Sequence, residues 1–525
     1  MADSSSSSVS IDSINSMIGA TNTNRVSGLA SGIDVDSIVA KLMTAESQPL
    51  VQMQQNLQLT EWQRDDYRSM NTLLSNLQSV TQNMKLQGTY MKKNATSSNS
   101  SIVTATAGAT AGNASNMISV TQLATSAYNV GGEITSEDDS FDADASLSSQ
   151  APKLSGSIDE TISFTISTYN TSGNKIDKEF DFPSSMSLNS ILSAISSSGI
   201  GVNAYYDSAT RTVSMTRTDT GDLSGSATEG HAIYFNGSAF LTDTLKLSQS
   251  GETLGKDAEF TLNGLSTHRS TNTFTLGGVT YTLQGVGSNT RVQVNNDTDT
   301  VYNSIADFVS KYNDTIKQIN DKISEKRNRD YAPLTDAQKS TMKDSDITSW
   351  TDKAKSGMLA NDSILSGALS QLRTNLYTPV NGTSNTNMDQ LAEIGITTSS
   401  DYLDHGKLII DEDKLKQAIS TNPQAVMELF TKTGDTTSEQ GIMQRLNTTL
   451  KNTMDQIEDK AGNTNMVYTQ YSMGKSIDDM NDRIDAFKLR LQDIQTRYYT
   501  QFDAMEAAIQ QANSQASYLS QFTSS

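Results

Sequence analysis

The chain of 525 residues has no cysteine. That excludes disulfides, thiolate metal sites and thiol nucleophiles. Histidine is nearly as scarce: His231, His268 and His405 are the only three, in separate segments and at no metal-ligand spacing. Aromatic residues make up 6% and hydrophobic residues 35% of the chain, both low, and Ser, Thr, Asn and Gln fill the difference. No apolar run approaches the roughly 18 residues that would suggest a transmembrane helix, so no membrane insertion is expected. Met1 to Ser10 lack the basic stretch and apolar core of a secretory signal peptide. A cysteine-free chain of this kind fits export by a route that needs no such peptide. There is no G-x-x-x-x-G-K-[ST] and no G-x-G-x-x-G loop, and no carboxylate pair stands at catalytic spacing in an aromatic-rich setting. The sequence therefore gives no positive argument for an enzyme, a cofactor or a metal. A formal net charge of −20 argues against nucleic acid or an anionic membrane surface as partner.

What is present is concentrated at the C-terminal end. From Ile477, steps alternating three and four residues reach Met480, Ile484, Phe487, Leu491, Ile494, Tyr498, Gln501, Met505, Ala508, Ala512, Gln515, Leu519 and Phe522. Only the two glutamines break the apolar series, and no Pro or Gly interrupts it. A 3.5-residue repeat predicts a helix whose narrow apolar seam faces another helix. Asp479 and Arg483, like Asp493 and Arg497, stand four apart with the acid first, the better order for a surface pair. The helix would be roughly 70 Å long. Burying its seam would return roughly 20–30 kcal/mol, against a backbone ordering cost of about 1–2 kcal/mol per residue. It is therefore expected to be marginal until something covers the seam. The thinning to Ala and Gln beyond Met505 favours a partner from another chain. A hairpin with a helix of the same chain is the alternative.

The rest of the chain falls into blocks. Residues 1–24 are rich in Ser and Asn and are expected to be disordered, as a frayed terminus or an unfolded export signal. Asp34 or Asp36 caps a helix with Ile38, Leu42 and Ala45 on one face. A second helical stretch carries Leu50, Met53 and Leu57, then Tyr67, Met70, Leu74, Leu77 and Met84, with a stutter expected near Trp62 and Gly88 as its close. From Asn94 to about Asp299 the period becomes two, as in Ile162-Phe164-Ile166, Val213-Met215, Val279-Tyr281-Leu283 and Val292-Val294. Leu188 to Ile195 reads as a helix within it, and Glu133 to Gln150 as a linker. Helical spacing returns with Val301, Ile305, Phe308, Tyr312, Ile316, Ile319 and Ile323. Asp362 or Ser363, Asp411 and Asn422-Pro423 mark further helix starts. The expected architecture is α+β and multidomain, with long terminal coiled-coil-like helices, a helical stalk domain and two inserted antiparallel β-rich head domains. The expected boundaries are a leader at 1–24, terminal leg helices at 25–48 and 475–525, and a stalk at 49–93 and 300–474. One head is expected at 94–152 and 231–299, with a second inserted at 153–230.

Several stretches resemble the flagellar filament cap family, also called hook-associated protein 2. They are GLASGIDVDSIVAKLM at Gly28 to Met43 with Glu46 and Pro49, ISVTQLA at Ile118 to Ala124, and AEFTLNG at Ala258 to Gly264 followed by Gly278 to Leu283. FVSKYN at Phe308 to Asn313, LAEIGI at Leu391 to Ile396 and GKLIIDEDKL at Gly406 to Leu415 continue the series. The resemblance runs from about Arg25 to Phe522 and is weakest from Ala151 to Gly230. It implies a secreted, extracellular subunit at the distal tip of the bacterial flagellum. Such subunits form a homo-oligomeric ring, often a pentamer. Flagellin inserts and folds beneath their plate, and the terminal helices serve as legs on the distal filament end. Implied partners are flagellin, the hook–filament junction proteins, the flagellar type III export apparatus and an export chaperone at the C-terminal helix. No cofactor is implied. The expected assembly contacts are Leu29, Ile33, Ile38, Leu42, Ile477, Met480, Ile484, Phe487, Leu491, Ile494, Tyr498, Met505, Leu519 and Phe522. The rival readings are another flagellar axial protein, from the hook–filament junction or flagellin-like, and a surface adhesin using the β-rich heads. The Gly28 to Asp34 opening and the internal β motifs speak against the first.

The alternating strands bring their own apolar faces. A fragment of residues 94–299 is expected to fold without the helical ends. A cooperative thermal melt with a β signature in circular dichroism is the expected outcome, and a non-cooperative melt would show the boundary to be misplaced.

Overall fold

The computed structural model describes residues 11–19, 32–136, 140–224, 230–236 and 238–523. The chain divides into two units, Met1–Tyr90 with Val301–Ser525, and Met91–Thr300. The first is helical apart from a short antiparallel pair, Ile396–Thr398 with Leu408–Ile410. The second holds the remaining sheets.

The helical unit begins with α1 (Ile11–Ile18), α2 (Val35–Glu46) and α3 (Gln48–Met84). Asp34 caps α2 by accepting from the Ser37 N–H at 3.0 Å, and Pro49 stands in the first turn of α3. α3 is continuous past Trp62, so the expected stutter is no break in the helix. It is a change of neighbours. Leu50, Met53 and Leu57 pack in one cluster with the terminal helix Ser472–Thr523, while the next fully buried residues are Tyr67, Met70, Leu74 and Leu77. α3 ends at Met84, four residues before Gly88. α3 packs against Ile442–Ala461, which packs in turn on Ser363–Tyr377. Thr298–Ser324 buries Val301, Ile305, Phe308, Tyr312, Ile316 and Ile319, the stripe its spacing predicts. Asp411 and Asn422 cap their helices through the N–H groups of Lys414 and Ala425 at 3.0 and 3.1 Å.

A polar triad, with Tyr67 and Asp362 buried and Lys460 at the surface edge, ties three of these helices. Asp362 caps Ser363–Tyr377 through the Leu365 N–H at 3.0 Å. Its second oxygen accepts from the Tyr67 hydroxyl of α3, and Lys460 donates to the same hydroxyl. The Lys460 ammonium stands 3.5 Å from Asp362 and 4.5 Å from the Tyr67 ring centroid. Burial and then the Asp362 carboxylate push the Tyr67 hydroxyl far above its ordinary range, so it stays protonated and donating.

In the other unit, one sheet runs β1 (Lys93–Ser97), β15 (Gly287–Asn296), β3 (Ala114–Gln122), β11 (Ala258–Leu262), β12 (Leu265–Arg269), all antiparallel. A second joins β13 (Thr273–Leu276), β14 (Val279–Leu283) and β2 (Val103–Ala107). They share a core of Val103, Ile118, Val120, Phe260, Phe274, Tyr281, Val292 and Val294, with Phe260 and Phe274 stacked at 4.5 Å. A third sheet runs β10 (Glu252–Thr253), β4 (Ser126–Val130), β8 (Thr212–Thr220), β7 (Val202–Asp207). A fourth runs β6 (Lys175–Pro183), β5 (Thr161–Tyr169), β9 (Ile233–Asn236). With the helix Leu188–Ser197 these enclose a separate core that includes Ile162, Phe164, Ile166, Ile191, Val213 and Met215.

This second core is wider than the expected 153–230. Ile134, Leu147, Phe240, Leu241 and Leu245 all lie in it, and β4 and β10 hydrogen-bond into its sheet. Glu133 to Gln150 is therefore not a linker in its described part, which buries Ile134 and Leu147. Its apolar residues are too sparse to show a period. Gly131, just past β4, shows how closely the chain after the Phe240–Thr244 turn approaches: a Cβ there would stand 2.2 Å from the Leu245 carbonyl oxygen. The buried Glu252 carboxylate adds a polar tie, accepting from the Ala232 and Ile233 N–H groups at 3.1 and 2.7 Å and facing His231 Nδ1 at 2.8 Å.

The triad yields a graded expectation. Asp362→Asn keeps a competent cap but removes the charge between Tyr67 and Lys460, and should destabilise the helical unit by about 2 kcal/mol. Asp362→Ala also loses the cap, costing about 1 kcal/mol more. Denaturant unfolding followed by tryptophan fluorescence measures both, since Trp62 and Trp350 are the chain's two tryptophans and both lie in this unit.

Candidate assembly surface on the terminal helix

The terminal helix Ser472–Thr523 is 52 residues long. Its root is pinned by close packing. Gly462, at φ +64°, ends the preceding helix, and a Cβ there would meet the Tyr471 ring at 2.5 Å. Gly474 admits the same ring from the other side, with Tyr471 Cζ 2.7 Å from where its Cβ would stand. The Arg68 guanidinium of α3 lies 5.4 Å from the Tyr471 ring centroid and donates to the carbonyls of Ala461 and Gly462 at 3.0 and 3.2 Å. Ile477 is fully buried just beyond, and Met480 is half-buried with Thr60 Oγ1 3.8 Å from its sulfur.

In the middle third the seam is covered by the chain itself. Ile484, Leu491 and Ile494 are buried with Ile14 and Ile18 of α1, Val35, Val39 and Met43 of α2 and Leu50 of α3. Met17, Ile33, Met53, Leu57, Phe487, Tyr498, Tyr499 and Phe502 flank them, partly buried. Four polar contacts fasten the short helices. The Tyr499 hydroxyl donates to Asp36 at 2.9 Å and that of Tyr498 to Glu46 at 3.1 Å. Gln492 Nε2 donates to the Ile18 carbonyl at 2.8 Å and Gln495 Nε2 to Asn15 Oδ1 at 2.6 Å. The bond to Glu46 raises the Tyr498 hydroxyl above its ordinary value, which keeps it a donor across the physiological range.

The outer third differs. From Gln510 to Ser520 every residue is exposed. Tyr518 and Leu519 show 66% and 67% of their surface to solvent, beside Gln511, Ser514 and Gln515. Met505 is half-buried.

Three expectations are corrected here. Within the single chain, the seam around Ile484 to Ile494 is covered by α1, α2 and the start of α3, so the intramolecular alternative holds there. On α2 the buried face is Val35, Val39 and Met43, whereas Ile38 is half-buried and Leu42 is 38% exposed. Both stripes have helical spacing, so periodicity alone could not choose between them. Within the expected disordered leader, Ile11–Ile18 is a helix with two isoleucines buried. Its signal was the spacing of Ile11, Ile14 and Ile18 among polar residues. Val35, Val39, Met43, Tyr499 and Phe502 were likewise missed. Leu29 lies outside the described residues, as does the Phe522 side chain.

Magnitudes rank the two short helices. α1 orders eight residues, below the roughly 12–15 at which isolated helices become marginal. Burying two isoleucines returns about 3–6 kcal/mol gross. α2 is longer, buries more and runs directly into α3. Amide hydrogen exchange on the monomer should therefore be graded. Slow exchange is expected around residues 484–499 and near-random-coil exchange over 510–523, and uniform protection to the C-terminus would contradict the gradient.

The comparisons with known proteins agree with this layout. The family model for the flagellar hook-associated protein 2 N-terminus matches residues 31–127, and that for its C-terminus residues 255–514. The unmatched interval between them spans the second β core. The chain is 36% identical to the flagellar hook-associated protein 2 of Halalkalibacterium halodurans, over 95% of this chain and 99% of that one. It is 24% identical to the A-type flagellar hook-associated protein 2 of Pseudomonas aeruginosa, over 96% and 98%. Its fold is similar to the solved D1-D2-D3 domains of the flagellar cap protein of Escherichia coli, with a TM-score of 0.54 at 21% identity, covering 79% of this chain and 99% of that chain. With both terminal models matched and a relative aligned almost end to end, the chain belongs to the flagellar hook-associated protein 2 family.

Proposed function

We propose that the protein caps the distal end of the bacterial flagellar filament and promotes the folding and insertion of exported flagellin subunits. One observation supports this most directly: a 52-residue terminal helix whose apolar stripe is packed against its own chain as far as Phe502, is half-buried at Met505 and is exposed from Gln510 to Ser520. A leg built this way has a fixed root and a weakly ordered tip. Weak ordering suits a contact that must release and re-form as the filament lengthens, because a rigid leg would hold the cap in one place.

In this reading the β-rich unit supplies the plate, and the tip residues Met505, Leu519 and Phe522 meet the filament. Leu29, Ile33, Ile38 and Leu42 complete the assembly contacts. Neighbouring copies form a ring, read as a pentamer. The protein is exported unfolded by the flagellar type III apparatus, with a chaperone on the C-terminal helix, and works outside the cell beside the hook–filament junction proteins. Its action is positional: it holds a space in which flagellin folds, and no catalytic step is assigned to it.

Deleting residues 507–525 leaves the buried leg cluster intact. The variant should be folded and soluble, yet cells carrying only this form should not elongate filaments and should shed flagellin into the medium. Filament length by electron microscopy and flagellin in culture supernatants are the measurements, and filaments of normal length would refute the assignment.

A further inference from the structure

α1 covers part of the seam, packing on both α2 and the terminal helix. Ile14 and Ile18 close over the stripe at Ile484, Leu491 and Ile494. The two bonds that fasten α1 come from the amides of Gln492 and Gln495, which lie between and beside the buried Leu491 and Ile494. We propose that α1 is a displaceable strap. In the free subunit it occupies the stretch of the terminal helix that a helix from a second copy of the chain takes on assembly. This rests on the reading of the terminal helix as an assembly element.

The two short helices are held by different chemistry. α2 is tied through phenol-to-carboxylate bonds, Tyr499 to Asp36 and Tyr498 to Glu46, and hydrogen bonds to an ionised acceptor are the stronger kind. It also continues into α3 with only Ser47 between the two. α1 is tied by neutral amide bonds alone among those described to the terminal helix, and residues 20–31 separate it from the segment that opens α2. Twelve residues can span up to roughly 40 Å, so α1 can leave while α2 stays. Its departure uncovers Gln495, which is 7% exposed with α1 in place, and whatever buries that amide again must supply it with a hydrogen-bond partner.

That need points to the occupant. An amide both donates and accepts, so a surface carrying amides beside an apolar stripe is complementary to a copy of itself. The terminal helix places Gln501 and Gln515 in its own stripe and Gln492 and Gln495 beside it. Two ion pairs on its flank close within the helix, Arg483 with Asp479 at 2.9 Å and Lys488 with Asp485 at 3.1 Å. A second terminal helix laid on this stripe therefore meets apolar groups and amides.

Sedimentation velocity on the purified full chain and on a form lacking residues 1–19 tests the proposal. Removing α1 should lower the concentration at which subunits associate by at least tenfold. Full-length Ile14→Ser/Ile18→Ser should do the same, which covers the case of a misfolded deletion. The chain has no cysteine, so Asn15→Cys/Gln495→Cys can be joined by a short bismaleimide, and the locked subunit should stay monomeric where the unlocked one associates. Unchanged or weaker association without α1, or free association of the locked subunit, would overturn the strap. The truncation of residues 507–525 separates this failure from that of the assembly reading. If it stops filament growth while loss of α1 leaves association unchanged, only the strap falls. If filaments grow normally without residues 507–525, the assembly reading falls and the strap with it.

Discussion

A long helix with one narrow apolar stripe has to cover that stripe, and α1, α2 and the start of α3 are arranged to do so. The root of Ser472–Thr523 is pinned where Tyr471 fits between Gly462 and Gly474 under the Arg68 guanidinium. Further out, α1, α2 and the first turns of α3 converge on Ile484, Leu491 and Ile494. Beyond Phe502 the cover stops while the helix continues. The same element thus runs from rigid to weakly held within one stretch of chain. The gradient follows from side-chain size: isoleucine and leucine at the root and middle bury far more than the alanines at Ala508 and Ala512, while the entropy cost per residue stays the same.

Low apolar content shapes the other unit in a different way. Among its described residues, Met91–Thr300 splits its apolar burial into two main cores and a small cluster of Ala127, Leu223 and Ala232. Each main core needs strands from distant parts of the segment: β2 and β3 meet β11 to β15 in one, and β4 joins β7, β8 and β10 in the other. Polar ties supplement the apolar contacts. Glu252 holds the chain at Ala232 and Ile233, and the buried Arg217 donates to the carbonyls of Ile200 and Tyr169 at 3.1 and 2.8 Å. Buried ionic groups of this kind add little net stability, but they penalise alternative pairings, because any other register would leave them unpaired.

The helical unit uses the same device once more. Tyr67, Asp362 and Lys460 come from three helices far apart in the sequence and meet at one point. Asp362 has two roles there, as cap and as charge partner. Misplacing any of the three helices would leave at least one of these groups buried and unsatisfied.

Much of this was legible in the residues. The switch from helical to alternating period near Asn94 and back near Val301, the caps at Asp34, Asp362, Asp411 and Asn422, and the 3.5-residue repeat from Ile477 each rest on local geometry, and a sequence records local geometry directly. The identity of the surface that covers a stripe is not local. Ile38-Leu42 and Val35-Val39-Met43 are equally good stripes on α2, and only the terminal helix packed beside them selects the second. Ile14 and Ile18 look like isolated isoleucines in a polar leader until Leu491 and Ile494 are set against them. Glu133 to Gln150 reads as a linker because its apolar residues keep no period, yet the fold buries Ile134 and Leu147. The sequence by itself determined most of the long helices, the switch to and from alternating strands and where an uncovered seam would have to be satisfied. Only the tertiary structure decided what satisfies it, because burial depends on residues hundreds of positions away whose approach no local pattern encodes.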